Sequence, residues 1–225
     1  MRYRVHARTG AVLILAVALA ACGSDGPSAT PGQGCPSAAP SASEATQILS
    51  DADQALVRTN KGDITIQLLG DAAPIATANF AALARCGFYD GITFHRVVAG
   101  FVIQAGDPQT RTNHDDFAGL GTGGPGYSFT VEPPDPGLAY DPYMVAMANA
   151  GRVDSNGSQF FIDLADLNGQ LARSYTIFGR VTDGTDTVDA IGRLPTDEND
   201  VPLDPAIISG IEIHPAAEAS PTASP

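Results

Sequence analysis

The chain has 225 residues, a length typical of one domain with terminal extensions, and its 44% apolar and 16% charged residues are typical of a globular protein. It carries 25 acidic residues against 12 basic ones, a net charge of −13. Because such a surface repels phosphate groups, the composition disfavours binding to nucleic acid and to anionic lipid headgroups. We therefore expect no nucleic-acid partner.

The first segment of the chain is typical of an export signal. Arg2, Arg4 and Arg8 precede an apolar run over residues 11–21. This run is too short to span a bilayer as a helix, and its cationic flank is that of a secretory signal peptide. We predict that residues 1–21 are a signal peptide and are removed, which leaves nine basic residues against 25 acidic ones, a net charge of −16.

The apolar run ends in Leu-Ala-Ala-Cys-Gly at residues 19–23. This sequence resembles the lipobox of bacterial lipoproteins, in which cleavage precedes the cysteine and the thiol is then acylated. The resemblance implies lipidation at Cys22 and a location on the outer face of the bacterial cell membrane, because two or more acyl chains anchor a protein stably. The alternative is an ordinary signal peptide with a cysteine at this position by chance.

Residues 22–51 and 216–225 are rich in Ser, Ala, Pro and Gly and have no hydrophobic periodicity. Such a composition is typical of flexible segments. We predict a lipidated flexible spacer over 22–51, a folded domain over 52–215 and a disordered tail over 216–225.

The chain has three cysteines. Acylation of Cys22 would leave Cys35 and Cys86 as an even pair in an oxidising compartment, and we predict a disulfide between them. The alternative is that Cys86 is a buried thiol and Cys35 is free, since nothing in the sequence shows that the two are close.

The folded domain is predicted to begin with a hairpin. Residues 55–59 and 64–68 are strand-like runs that flank an Asn-Lys-Gly-Asp turn, and a helix follows from Pro74 to Gly87. The later predicted elements are strands at 92–98, 101–105, 127–131, 144–148, 159–163 and 176–181, a helix at 186–194 and a strand at 207–213. Many short strands with two helices indicate a mainly β domain, a barrel or a sandwich capped by helices.

The sequence gives little support to metal or nucleophile chemistry. His95, His114 and His214 have no Cys, His or Glu at metal-ligand spacing, so we expect no zinc site. The acidic loop at residues 197–204 lacks the turn glycine of calcium-binding loops, which favours a solvated loop over a calcium site. No Gly-x-Ser-x-Gly, phosphate-loop or dinucleotide-binding motif is present.

Five short blocks occur in a fixed order along the domain. They are Phe-His-Arg-Val-Val-Ala-Gly-Phe-Val-Ile-Gln-Ala-Gly-Asp at 94–107, Gly-Thr-Gly-Gly at 121–124, Met-Ala-Asn-Ala-Gly at 147–151, Asn-Gly-Ser-Gln-Phe-Phe at 156–161 and Phe-Gly-Arg-Val at 178–181. Each block is weak alone, but the ordered set closely resembles the cyclophilin family of peptidyl-prolyl cis-trans isomerases, over about residues 58–213.

This resemblance implies an eight-stranded antiparallel closed barrel capped by two α-helices, with the active site on its outer surface. It implies that Arg96 is the catalytic arginine and that Gln104 positions the arginine and the substrate. The substrate-binding residues that it implies are Phe101, Val102, Ala148, Asn149, Ala150, Gln159, Phe161, Leu171 and Tyr175. Among them, Phe101, Phe161 and Leu171 match the walls of a proline pocket.

Isomerisation of an X-Pro bond breaks no covalent bond, so we expect no cofactor and no metal. The imide nitrogen gains a lone pair only when the bond is twisted, and a fixed guanidinium at Arg96 would bind that state best. Strand alternation puts His95 on the opposite face from Arg96, which favours a structural role for His95. The same alternation would put Phe101 opposite Gln104, so the implied roles require a bend after Gly100.

We expect the substrates to be proline-containing peptides and unfolded exported proteins, and the protein to be a monomer. Two other classes remain open. A proline-peptide binding or chaperone module with little catalysis would predict loss of the arginine or the glutamine, and both are present. A solute-binding lipoprotein of a transporter would need two lobes and usually a longer chain.

Overall fold

The computed structural model describes residues 34–112 and 119–216. The predicted signal peptide over 1–21, the predicted acylation site at Cys22 and residues 217–225 of the predicted tail lie outside that part, as does His114. Within the described part, no helix combines the length and the apolar character that a membrane span requires.

The described residues form three α-helices, a 3₁₀ helix and eight strands. In chain order these are α1 (Ala42–Leu49), β1 (Gln54–Thr59), β2 (Gly62–Leu68), α2 (Pro74–Arg85), β3 (Arg96–Val98), β4 (Val102–Ala105), the 3₁₀ helix (Pro108–Arg111), β5 (Met144–Met147), β6 (Phe160–Asp163), β7 (Ile177–Asp183), α3 (Thr185–Ile191) and β8 (Ile208–His214). The domain is therefore mainly β, as predicted.

All eight strands belong to one antiparallel sheet in the order β3-β4-β6-β5-β7-β2-β1-β8. The main hydrophobic core lies on the inner face of this sheet, where α2 packs. Phe80 of α2 is fully buried, and its ring centroid lies 5.5 Å from that of Phe160 and 5.1 Å from that of Phe178. Because aromatic rings bury a large apolar area, this cluster fixes the helix to the sheet.

The N-terminus of α2 is capped by a residue from a distant loop. Ala73, at the N-cap position, offers no side-chain acceptor, and Pro74 follows it at the first helical position. The Glu132 carboxylate instead accepts hydrogen bonds from the backbone N–H groups of Ile75 and Ala76, at 2.9 and 2.8 Å. A carboxylate at this end also interacts favourably with the helix dipole.

A barrel closed by a continuous strand ladder was expected, and the described strands do not form one. The edge strands are β3 and β8. Just before them, Thr93 and Ile207 form an isolated antiparallel bridge, and the Phe94 N–H donates to the Ala206 carbonyl at 2.9 Å. The two edges therefore approach each other through the segments that precede β3 and β8.

The prediction of a flexible spacer over residues 22–51 is wrong for residues 34–51, the part that the structure describes. Helix α1 begins with a capping box, in which Ser41 and Glu44 satisfy each other's backbone N–H groups, and Ala45 is fully buried. Arg85 of α2 donates to the carbonyl of Ile48, and its guanidinium pairs with Asp51 at 2.6 Å. The fold thus has a third helix, α1, which packs on α2.

The same N-terminal segment is bonded covalently to the domain. A disulfide joins Cys35 to Cys86, the residue that follows α2. This is the pairing that the cysteine count suggested. It fixes the segment that precedes α1 to the C-terminal end of α2.

Two predicted strands differ from the structure. Residues 127–131 form only one isolated bridge, between Phe129 and Asn156, because their partner is an irregular loop and not a strand. The strand predicted over 92–98 is limited to β3, residues 96–98. The other predicted strands and helices correspond to observed elements, with ends that shift by a few residues.

Candidate active site

One row of residues crosses four neighbouring strands on the outer face of the sheet. Arg96 in β3 lies opposite Gln104 in β4, Gln104 lies opposite Phe161 in β6, and Phe161 lies opposite Ala146 in β5. Their chain neighbours point into the main core, so alternation directs this row outward. The row combines a guanidinium, an amide and an aromatic ring.

A cavity of about 300 Å³ lies over this row. It is lined by nine of the predicted site residues, namely Arg96, Phe101, Val102, Gln104, Ala148, Asn149, Phe161, Leu171 and Tyr175. The remaining two, Ala150 and Gln159, line an adjacent cavity of about 380 Å³. Gln104, Ala148 and Asn149 line both cavities, so all the predicted catalytic and substrate-binding residues lie along one groove.

The bend that the predicted roles required is present between β3 and β4. Gly100 has a φ of 71°, a left-handed conformation that glycine adopts without steric cost. The Phe101 N–H donates to the Val98 carbonyl at 2.9 Å, which closes a tight turn. Phe101 therefore lies in the turn and not in β4, and its ring reaches the same cavity as Gln104.

The apolar part of the cavity is built from rings that support one another. Phe161 is 5% exposed, and its ring meets that of Tyr175 edge to face, with centroids 5.5 Å apart. The Tyr140 hydroxyl holds Tyr175 in place by accepting a hydrogen bond from the Tyr175 backbone N–H at 3.2 Å. The pocket walls are thus held by packing and hydrogen bonding before any ligand binds.

Gln104 is positioned by a chain of hydrogen bonds that the sequence did not reveal. Its amide N–H donates to the Gln159 side-chain oxygen at 2.9 Å, and the Gln159 amide donates to the Gly123 carbonyl at 2.8 Å. The buried Asp107 carboxylate accepts the N–H groups of Gly121 and Gly123, at 2.7 and 3.1 Å. A side chain at position 123 would collide with Asp107, which explains the glycine there. Within the described residues, no hydrogen bond reaches the Gln104 side-chain oxygen, and Gln104 lies opposite Arg96 in the strand pairing.

The guanidinium of Arg96 is half-exposed and borders the cavity, where its Nε lies 3.7 Å from Oδ2 of Asp200. His95, the preceding residue, is 4% exposed and does not line the cavity. Burial lowers the pKa of the His95 imidazole, although the nearby Asp107 carboxylate opposes this effect. His95 therefore belongs to the interior, and Arg96 belongs to the groove.

The Asn149 side chain is used within its own loop. Its Nδ2 donates to the Ser174 carbonyl, and its Oδ1 accepts the Gly151 N–H, both at 2.9 Å. Within the described residues, no hydrogen bond occupies the backbone N–H and C=O of Asn149. These groups are therefore available to pair with an extended peptide.

The acidic loop at 197–204 is a tight turn. The Asp197 carboxylate accepts the backbone N–H groups of Asn199 and Val201, each at 2.9 Å, and these bonds lower the pKa of Asp197. In the two described ranges, no group of three or more potential ligand side chains is arranged to hold a metal ion.

Comparison with known sequences decides the family. The family described as "Cyclophilin type peptidyl-prolyl cis-trans isomerase/CLD" matches residues 55–213, most of the chain. The chain belongs to the cyclophilin family.

Relatives of this cyclophilin are enzymes of the same class. It is 45% identical over 177 residues to the peptidyl-prolyl cis-trans isomerase A of Mycobacterium tuberculosis, covering 71% of this chain and 91% of the relative. It is 41% identical to the peptidyl-prolyl cis-trans isomerase B of Streptomyces anulatus, over 71% and 95% of the two chains. The family and these relatives identify the chain as a peptidyl-prolyl cis-trans isomerase.

Solved cyclophilin structures share the fold. A cyclophilin type peptidyl-prolyl cis-trans isomerase of Cryptosporidium parvum, crystallised in the presence of the dipeptide Ala-Pro, matches with a TM-score of 0.63 and 38% identity. The match covers 72% of this chain and 98% of that chain.

Two residues near the site had no assigned role in the sequence analysis. Asp107 ends the first sequence block, but the spacing does not show that its carboxylate holds the glycine-rich loop. Asp200 belongs to the loop interpreted as solvated, 104 positions after Arg96 in the numbering. Neither contact has a local sequence signal, because both join segments that meet only in the folded domain.

Proposed function

We propose that this cyclophilin isomerises X-Pro bonds in exported proteins, from a position on the outer face of a bacterial cell membrane, with Arg96 as the catalytic residue. The observation that carries the proposal is the single groove in which Arg96 and Gln104 lie beside a half-open aromatic pocket. The crystallisation of a cyclophilin in the presence of Ala-Pro supports a proline-containing peptide as the ligand.

The chemistry requires a donor that acts only on the twisted state. Rotation removes the resonance of the X-Pro bond, whose barrier is about 18–20 kcal/mol, and leaves a lone pair on the imide nitrogen. A guanidinium aimed at that nitrogen stabilises the twisted state more than either planar state, and this difference is what accelerates the reaction. Arginine suits this task because it stays charged and donates from a rigid fork.

The pocket supplies the fixed point for the rotation. Phe101, Phe161 and Leu171 form an apolar surface that can hold a proline ring, while the preceding carbonyl turns outside it. The backbone of Asn149 holds the flanking peptide in an extended form. Gln104, whose amide nitrogen is bonded to Gln159, orients Arg96 and the substrate through its side-chain oxygen. No step needs a nucleophile, a metal or a cofactor.

Two features support export and membrane attachment. The first is the cationic and apolar N-terminal segment that ends at Cys22. The second is the Cys35–Cys86 disulfide, because disulfides persist mainly in oxidising compartments outside the cytosol. We propose that Cys22 is acylated, that residues 23–33 link it to the folded part, and that the enzyme acts as a monomer on unfolded exported chains.

The test of the catalytic proposal is Arg96→Ala, measured by a protease-coupled or NMR exchange assay on an Ala-Pro peptide. Loss of a charge-assisted hydrogen bond of about 1.5–3 kcal/mol corresponds to a rate decrease of roughly one to two powers of ten. Arg193→Ala, at an arginine that is 69% exposed, is the matched control and should keep wild-type activity. A folded Arg96→Ala variant with wild-type exchange rates would refute the mechanism.

The test of membrane attachment is Cys22→Ser in the full-length chain. The wild-type protein should fractionate with membranes and carry an acyl modification on its first mature residue, and the variant should lose both. A wild-type protein recovered without acylation would rule out the anchor and leave the isomerase proposal intact.

A further inference from the structure

Asp200 makes the only ion pair of Arg96 within the described part of the chain. Its Oδ2 lies 3.7 Å from Nε of Arg96, and both side chains are partly exposed, 45% for Asp200 and 39% for Arg96. Nε is the nitrogen nearest the aliphatic stem. A contact at this atom leaves the two Nη nitrogens at the far end of the guanidinium for another acceptor.

The backbone of Asp200 is held next to β3 by hydrogen bonds. The Val97 N–H donates to the Asp200 carbonyl at 2.8 Å, which ties the loop to β3 one residue after Arg96. The Asp197 carboxylate holds the turn from inside by accepting two backbone N–H groups. Asp200 is therefore held beside Arg96 by bonds that do not involve its own side chain.

The backbone conformation at Asp200 is unusual. Its φ is 66°, in the left-handed region where glycine is unstrained and where aspartate and asparagine are the best tolerated of the other residues. The chain has aspartate here, although the backbone conformation at this position favours glycine. Such an outlier beside a functional group points to a role for the side chain.

We propose that Asp200 is a positioning residue for Arg96, an inference that rests on the proposed catalytic role of Arg96. Arginine is a long side chain with many rotamers, and a half-exposed arginine would otherwise lose entropy when it donates to the twisted imide. The carboxylate restrains the guanidinium through Nε before the substrate binds. The Nη groups are then left to donate to the substrate imide, and Gln104 lies opposite Arg96 in the neighbouring strand β4.

Asp200→Asn is the most direct test, because asparagine keeps the shape and tolerates the left-handed backbone while it removes the charge. Loss of an ion pair between partly exposed side chains corresponds to about a two- to five-fold change in an equilibrium or rate constant. We therefore expect kcat to fall by that factor while KM stays unchanged. Glu198→Gln removes the same charge two residues away, where the side chain is exposed, and should behave as wild type.

Two measurements, activity at high salt and NMR of the Arg96 side chain, distinguish the positioning of Arg96 by Asp200 from a general structural effect. The wild-type advantage over Asp200→Asn should shrink at about 1 M salt, where the screening length is about 3 Å. In 15N-labelled protein, the Arg96 Nε–H resonance should shift in Asp200→Asn and stay in place in Glu198→Gln. Wild-type kcat in Asp200→Asn, an effect on KM alone, or an unmoved Nε–H resonance would overturn the proposal.

A double-mutant cycle distinguishes this inference from the mechanism that it rests on. If Asp200 acts through Arg96, Asp200→Asn should add no further loss to Arg96→Ala. An additive loss would refute positioning through Arg96. If Arg96→Ala itself keeps wild-type activity, the proposed catalytic role is wrong; if only Asp200→Asn is silent, the catalytic role stands and Asp200 has no part in it.

Discussion

The two faces of strand β6 differ more than its uniform burial suggests. All four residues of the strand are buried. On the inner face, Phe160 and Ile162 belong to the main apolar core. On the outer face, Phe161 borders the groove, and Asp163 is buried with no hydrogen-bond partner for either oxygen in the described part of the chain. The inner face contributes only to packing. The outer face combines a groove residue with a buried carboxyl group, and such a group lowers the stability of the fold.

This difference predicts which property a substitution on each face should change. An inner residue has only packing to lose, so its replacement should change the free energy of unfolding. An outer residue in the groove should change activity more than stability. Adjacent positions in one strand thus allow the two contributions to be measured separately.

The largest effect is expected for Phe160→Ala. Phe160 is fully buried, and its ring lies within about 6 Å of the rings of Phe80 and Tyr89, at 5.5 and 5.9 Å between centroids. Removing a buried phenylalanine costs about 3–5 kcal/mol of unfolding free energy, because a cavity remains. Urea unfolding followed by circular dichroism measures this loss.

Phe161→Ala is the matched variant on the outer face. It should lose less unfolding free energy than Phe160→Ala but most of its exchange activity on an Ala-Pro peptide, because a wall of the proposed proline pocket is removed. Equal losses of stability in the two variants, with activity retained by Phe161→Ala, would contradict the division between the faces.

An intermediate effect is expected from Asp163, the polar exception on the outer face. Burial, and secondarily the nearby charge of Asp141, raises the pKa of the Asp163 carboxyl to about 8. The unfolded chain releases this proton near pH 3.8, whereas the folded protein keeps it up to about pH 8. The folded state thus binds more protons in this window, and stability should fall as the pH rises through it.

Asp163→Asn removes the titrating proton. The variant should lose the part of the pH dependence between pH 3.8 and about 8 that Asp163 contributes, an effect on the order of a few kcal/mol. Urea midpoints measured across this range give the slope. Asp71→Asn, at an exposed carboxylate, should keep the wild-type slope; a wild-type slope in Asp163→Asn would show that Asp163 does not titrate in this window.

The smallest effect concerns the helix that covers the inner face. Glu132 caps α2 from the loop between the 3₁₀ helix and β5. Glu132→Ala should cost about 1 kcal/mol of unfolding free energy, a typical value for loss of a helix cap. Glu132→Gln keeps one acceptor and should lose less. Thermal unfolding ranks the two variants, and a reversed order would argue against capping.

The sequence predicted which residues share the groove better than it predicted the edges of the fold. The residues around Arg96, Asn149 and Phe161 occur in contiguous blocks, and strand alternation together with the bend at Gly100 is enough to bring them to one groove. Residues 127–131 read as a strand but pair with a loop, because a local pattern does not specify the partner. Helix α1 was missed although Ser41 and Glu44 form a capping box, since a Ser/Ala-rich context is equally typical of a flexible segment.

The contacts of Asp107 and Asp200 could not have been predicted from local patterns. Asp107 contacts Gly121, 14 positions later across a loop, and Asp200 contacts Arg96, 104 positions earlier, whereas an acidic residue in a polar loop is usually solvated. Such contacts are decided by the three-dimensional path of the loops.

The Cys35–Cys86 disulfide also determines how mechanical load enters the domain. A pull on the chain before Cys35 passes directly through the sulfur atoms to Cys86, because the covalent bond is shorter than the chain between them. Residues 36–85, which contain α1, the hairpin of β1 and β2, and α2, lie inside the covalent loop, so a pull transmitted along the covalent path does not pass through their backbone. If the chain is tethered at Cys22, the covalent path of the tether force therefore bypasses the backbone of α1, β1, β2 and α2.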